Sequence, residues 1–214
     1  AQSCFVMPEE MSYEVGAALG LVYQTSHFAL VERADFQPGE SVLVLGASGG
    51  IGSAAVQLAK GMGASKVIGA VLGDDNFRLA RDVLVCDRVI DLSGDNILDR
   101  LRDAVRDETD GKGCDIVIDP VGGDATAAAL RAMAWRGRMV IIGFASGSIP
   151  SIKANYLLVK NISVCGLQWS DYRERMPAQV DAVQRDIFAL WSSGKLRPHI
   201  SRSLPLSSFR EALE

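Results

Sequence analysis

Gly46, Gly49 and Gly52 stand three apart in "VLVLGASGGIGSAAVQLAK", where an apolar run gives way to an Ala-rich stretch. Glycine is what a chain needs where it turns at positive φ or where its backbone must be approached closely. At a strand-to-helix junction the three have separate uses. One permits the tight turn, one lets the backbone meet a pyrophosphate, and one lets the helix pack close to the sheet. The N–H groups of Gly50, Ile51 and Gly52 then lie at the positive end of the helix dipole and face an anion. The chemistry implied is dinucleotide binding. The spacing is one residue longer than GxGxxG, and a packing turn without a ligand would use the same glycines. No lysine of the GxxxxGK type is present, which argues against triphosphate hydrolysis.

A site that selects NAD carries Asp or Glu about twenty residues past the glycines, on the ribose 2′-hydroxyl. Nineteen residues past Gly52 stands Val71, between Ala70 and Leu72. Nothing there repels a 2′-phosphate. Arg78 and Arg81 follow on the next helix and could pair with it, or stand solvated on an exposed face. Asp74 and Asp75 oppose a phosphate if they point inward. The balance favours NADP(H).

The elements that must position this loop follow a repeated pattern of apolar run, turn and amphipathic stretch. Strands are expected at 41–47, 66–72, 87–92, 114–120, 137–144 and 162–169. Helices are expected at 50–63, 75–83 (capped by Asp74 or Asp75), 95–110, 124–135, around "ANYLLVK" and at 177–194. Ile97, Leu98, Leu101 and Val105 give the 95–110 helix one apolar face. Strands without polar alternation are buried on both faces, which implies a parallel sheet between helix layers. The fold class is therefore α/β: a doubly wound, parallel six-stranded Rossmann sheet with helices on both faces.

Both ends depart from the pattern. Residues 9–33 read as one or two helices, and "LRPHISRSLPLSSFREALE" stops as a new helix begins at Ser207. Ala1 stands where a start Met would be. The expected division is a helical lead-in at 1–39, a cofactor-binding domain at 40–194 and a return toward a separate, absent domain at 195–214.

The 214 residues are 48% hydrophobic and 22% charged with a net charge of -4, so no basic stripe suits a nucleic acid. No apolar run is long enough for a bilayer span and no signal segment opens the chain, so the expectation is a soluble, cytoplasmic protein. Cys4, Cys86, Cys114 and Cys165 are far apart, and His27 and His199 add no ligand spacing. They read as free thiols, with no metal site.

Taken in order, "PGESVLVLGASGGIGSAAVQLAK", "IDPVGGD", "RGRMVIIGFASGSIPSI", "LLVKNISVCGLQW" and "GKLRPHISRSLPL" resemble the zinc-independent quinone oxidoreductases of the medium-chain dehydrogenase/reductase superfamily. The resemblance covers almost the whole chain. It implies hydride transfer from NADPH to a quinone or enone, with the cofactor carrying the chemistry and the protein orienting it. Gly46, Ser48, Gly49, Gly50, Ile51 and Gly52 would hold the pyrophosphate. Thr25 would lie near the nicotinamide end, and Val121 and Gly122 would line the ribose–nicotinamide path. Gly143, Phe144, Ala145, Gly166 and Leu167 would shape the nicotinamide pocket. Leu21 falls where zinc-dependent relatives carry a cysteine ligand, which implies a metal-free reductase. The resemblance also implies a homodimer through the sixth strand. Asn76 and Leu92 depart from the Lys and Tyr that often grip the 2′-phosphate, leaving Arg78 to compensate or the preference to weaken.

Two other readings stay open. Tyr156 and Lys160 form the YxxxK of a short-chain dehydrogenase, where Lys lowers the Tyr pKa for proton transfer. They stand too close to the glycines for that family, and no Ser occupies its usual upstream offset. A non-catalytic NADP(H)-binding sensor or structural module is the other.

Overall fold

The computed structural model describes residues 4–213. Six strands form one parallel sheet: β1 (Ser41–Leu45), β2 (Lys66–Val71), β3 (Arg88–Asp91), β4 (Cys114–Asp119), β5 (Met133–Ile141) and β6 (Ser163–Gly166). Their order is β3-β2-β1-β4-β5-β6. The reversal between β1 and β4 leaves a crevice at the carboxyl ends of those strands, the place where such sheets bind ligands. Two short helices, α1 (Tyr13–Ala18) and α2 (Leu21–Phe28), precede the sheet. Then come α3 (Gly50–Gly61), α4 (Asp74–Arg78), α5 (Ile97–Glu108), α6 (Gly123–Ala132), α7 (Ala154–Lys160), α8 (Trp169–Arg175), α9 (Pro177–Ser192) and α10 (Phe209–Leu213).

Alternation along the buried strands divides the interior into two cores. Val42, Val44, Ile116, Ile118 and Val140 face Phe28, Leu30, Val56, Leu58 and Ile187 on one side of the sheet. Leu43, Leu45, Ile68, Val117 and Met139 face Leu101, Val105, Ala128 and Ala129 on the other. Each strand residue therefore meets apolar side chains whichever way it points, which is why the sequence shows unbroken Val/Ile/Leu runs.

Helix α2 lies inside the first core despite its polar sequence. Gln24, Thr25, Ser26 and His27 are all buried. Gln24 Nε2 donates to Gln184 Oε1 of α9 at 2.6 Å, and Thr25 Oγ1 donates to the Leu21 carbonyl. Ser26 Oγ donates to the Ile51 carbonyl at 3.0 Å. Only the imidazole of His27 is left short: Nδ1 has no partner, and Nε2 lies 3.9 Å from the exposed Asp186 carboxylate. Burial holds the His27 pKa below its ordinary value, against the pull of Asp186 and Glu32.

The expected helix at 124–135 ends at Ala132, and Met133–Trp135 belong to β5. Met133 pairs with Cys114, the register slips between Cys114 and Ile116, and Arg136 takes φ of 65° to absorb the slip. Lys160 Nζ donates to the carbonyls of Leu130, Arg131 and Met133, closing the helix end from outside. The strand expected through Trp169 stops at Gly166, where the sheet ends, and the unforeseen α8 begins at Trp169. Helix α4 opens at Gly73, φ 81°, without a side-chain cap, so Asp74 and Asp75 sit in its first turn instead of capping it. At the other end of the chain, Leu206–Ser208 make a tight turn of helix before α10, where a helix from Ser207 was expected.

Candidate cofactor site

The chain turns from β1 into α3 through Gly46, at φ 61°. A Cβ on Gly52 would lie 2.0 Å from the Gly46 carbonyl oxygen, so only glycine lets the helix start this close to the strand. The first α3 amide with a backbone partner is Ser53, bonded to the Gly49 carbonyl at 2.8 Å. The amides of Gly50, Ile51 and Gly52 are left to an outside acceptor, the arrangement that binds an anion. Ser26 grips this first turn from behind, and Val22 lies 3.2 Å from where a Gly50 Cβ would be. The buried polar face of α2 thus buttresses the glycine loop.

The loop opens into a cavity of about 900 Å³ running along the carboxyl ends of β2, β1, β4 and β5. One end is walled by Ala70, Val71, Leu72, Asn76, Leu92 and Ile97, and the other by Ile142, Gly143, Phe144, Ala145, Ser146 and Ser148. Between them lie the glycine loop and residues 120–125.

The turn after β4 is held by a residue the sequence reading passed over. Asp119 is wholly buried, and its Oδ1 accepts the amides of Val121 and Gly122, each at 2.9 Å. Its Oδ2 accepts the Thr126 hydroxyl. Three donors satisfy a carboxylate that would otherwise be too costly to bury. Around it the two loops are stitched together: Ala145 N–H bonds to the Pro120 carbonyl, Ser146 N–H to Val121, and Gly123 N–H to Ser148. Gly122, φ 76°, has the Ser148 carbonyl 2.7 Å from where a Cβ would stand. The available signal was an acid closing an apolar strand just before "PVGG".

Eleven of the expected residues meet in this cavity: Gly46, Ser48, Gly49, Gly50, Ile51, Gly52, Val121, Gly122, Gly143, Phe144 and Ala145. Four do not line it. Thr25 is buried in α2 behind the glycine loop. Leu167 is packed in the core with its N–H on the Ile141 carbonyl, and the Gly166 carbonyl accepts from Arg33 Nε. Arg78 is exposed and bound to Asp75 at 2.5 Å, while Arg81 is bound to Asp82. Among the described residues no Lys or Arg lines the cavity, and Asp124 is its one acid. An anion here meets helix N-termini and backbone amides, without a lysine or arginine in the wall.

Lys160, engaged with three carbonyls at the end of α6, is tied to the opposite rim of the sheet, beside the first residue of β5. Neither it nor Tyr156 lines the crevice, so the geometry gives no support to their use as a proton-transfer pair.

The zinc-binding dehydrogenase family model matches residues 50–185. A quinone oxidoreductase-like protein 2 homolog from Nematostella vectensis is 36% identical over 97% of this chain and 56% of its own length. The chain thus spans a little over half of that relative. Among solved structures, quinone oxidoreductase from Pseudomonas syringae superposes with TM-score 0.77 at 32% identity, over 90% of this chain and 57% of that one. A mycobacterial protein solved in complex with NADPH superposes with TM-score 0.87 at 25% identity, over 99% of this chain and 63% of that one.

Proposed function

The chain belongs to the zinc-binding dehydrogenase family of the medium-chain dehydrogenase/reductase superfamily, and from that premise we propose that it is the NADP(H)-binding domain of a quinone reductase. The observation that carries this is the continuous cavity with a glycine cradle at one strand junction and the Asp119-pinned turn at the next. A dinucleotide needs that combination: unpaired amides for the pyrophosphate, apolar walls for the rings and a switch-point crevice long enough for both halves.

In this reading the amides of Gly50, Ile51 and Gly52 hold the pyrophosphate, and Leu92 and Ile97 flank the adenine end. Phe144 and its neighbours border the nicotinamide end. Bound nicotinamide supplies the hydride, and the protein's part is to orient it and keep water away. A quinone or enone is the acceptor class, by analogy with the named relatives. The group that positions that acceptor would lie in a further domain, with residues 1–39 leading from it and 195–214 returning toward it.

The family's name raises zinc, and this chain's residues do not fit it. Leu21, at the position of a cysteine ligand, offers no donor atom. Among the described residues no three His, Cys, Asp or Glu side chains gather to hold a metal ion. On Leu21 we read the reaction as zinc-independent. Dimerisation through β6 belongs to the same proposal: β6 is an edge strand, and Leu158 and Val159 of the preceding α7 are exposed. So does a cytoplasmic setting, which suits four free cysteines, with Cys114 buried and its thiol pushed up to about 12.

The test is a fluorescence titration with NADPH, followed by quinone turnover in a longer chain. Binding with turnover supports the reading. Binding without turnover of any quinone or enone would favour a sensor or structural module. Absence of binding would remove the cofactor assignment.

A further inference from the structure

We infer that a second cavity, separate from the cofactor crevice, binds a small neutral phenol whose hydroxyl is met by the side-chain amide of Gln24. The inference does not rest on the cofactor reading, because it concerns another face of α2.

Val22 and Ser26 turn one face of α2 to the glycine loop. Leu21 and Gln24 turn another to a cavity of about 330 Å³ between α2, α8 and α9. None of its lining residues lines the cofactor crevice. Its volume is at the small end for a ligand pocket, enough for one or two rings.

Gln24 is buried in this wall, only 3% exposed. The Leu19 carbonyl can only accept, so Gln184 turns its Nε2 to it and its Oε1 to Gln24, and Gln24 Nε2 commits one N–H to that oxygen. Gln24 Oε1 then accepts from no group among the described residues. Unlike His27 Nδ1 it is not sealed in the core, so it opens to the cavity that Gln24 lines. The same amide keeps a second N–H. A hydroxyl answers an acceptor and a donor together, whereas a carbonyl compound such as a quinone leaves Oε1 unmatched.

The rest of the wall selects the body that carries the hydroxyl. The Trp169 Nε1–H also lacks an acceptor, but it is buried out of a ligand's reach, so that residue contributes apolar surface. With Phe5, Leu21, Pro177 and Val180 it makes a lining suited to a flat aromatic ring. Arg173 and Asp181 stand exposed at the rim, one cation and one acid, so the rim favours neither an anion nor a cation. A phenol joins a flat apolar body to a hydroxyl that donates more strongly than an aliphatic one.

The test is an NMR titration of the chain with p-cresol, 4-methylanisole and hydroquinone, followed at the Trp169 indole N–H signal. p-Cresol should bind about fivefold tighter than 4-methylanisole, because the methyl ether has lost the donor. A purely apolar pocket would prefer the ether, so equal or reversed affinities overturn the inference. Leu21→Trp fills the cavity from a position that is 60% exposed. It should weaken p-cresol by about tenfold or more without moving the melting temperature. Unchanged p-cresol binding in Leu21→Trp overturns the placement. Hydroquinone is the reduced form of the acceptor class proposed above. Tighter binding than p-cresol assigns the site to that product, and equal or weaker binding assigns it to phenols at large. No shift of the Trp169 signal with any of the three overturns the site, and leaves the cofactor crevice untouched.

Discussion

At the β4–β5 end of the crevice the backbone is held from within. A buried carboxylate accepts two amides and a hydroxyl, and three further backbone bonds join the neighbouring loops. At the β2 end the wall is shared by buried Ala70, Val71 and Leu92 with Asn76, which stands on a five-residue helix with an exposed ion pair and an uncapped start. Exposed pairs of that kind contribute little, about 0–1 kcal/mol. One end is thus pinned from within, and the other leans in part on a short exposed helix. Under the proposed cofactor placement, geometric precision would fall where a reacting ring is aimed and tolerance where the adenosine lies.

Removing the internal anchor should show the contrast most strongly. Asp119→Ala leaves two amides and a hydroxyl without an acceptor in the core, at a cost of roughly 4 kcal/mol. Urea unfolding checks this, and a loss below about 1 kcal/mol would mean the loop is held by its backbone bonds alone.

A matched pair of glycines sharpens the same contrast. Gly122 and Gly73 have φ of 76° and 81°, but a Cβ meets the Ser148 carbonyl at the first and nothing within 4 Å at the second. Gly73→Ala should cost only the backbone, whose φ of 81° and ψ of 160° are nearly confined to glycine, about 2 kcal/mol. Gly122→Ala adds the collision to a like backbone cost, for roughly 4 kcal/mol in all. Equal costs would break the comparison.

The buttress behind the glycine loop can be loosened through His27 without touching either end. Its folded pKa lies below the ordinary 6.5. Between those two values the unfolded chain holds a proton the folded chain lacks, so stability falls as pH falls below 6.5 and levels off beneath the folded value. The slope contributed is at most about 1.4 kcal/mol per pH unit. His27→Gln should flatten this part of the profile, read from melting curves between neutral and mildly acidic pH.

How much of this was legible depended on whether the cause was local. The glycine loop and the buried parallel strands were readable because each is dictated by its own residues: backbone freedom at Gly46 and Gly52, unbroken apolar runs in β1 and β4. The end of α6 was not, because "DATAAALRAMAW" keeps its helical character to Trp135. What stops it is Lys160 and the pairing of Met133 with Cys114, neither visible in the segment itself. The polar run "QTSH" of α2 fell in a stretch read only as one or two helices, and its partners lie far along the chain on α3 and α9. Arg78 was a fair candidate by position. Only the structure shows its guanidinium on Asp75 and outside the cavity.

The amide pair between Gln24 and Gln184 joins residues 160 positions apart. Such a contact closes a very long loop, so it forms late if folding proceeds from near contacts to far ones. During synthesis, the glycine loop emerges from the ribosome well before α9 does, and α2 must wait beside it with its polar face unmatched. The nascent chain would therefore expose a nearly complete sheet with an open flank until the last long helix arrives. That interval is when a chaperone would have most to do.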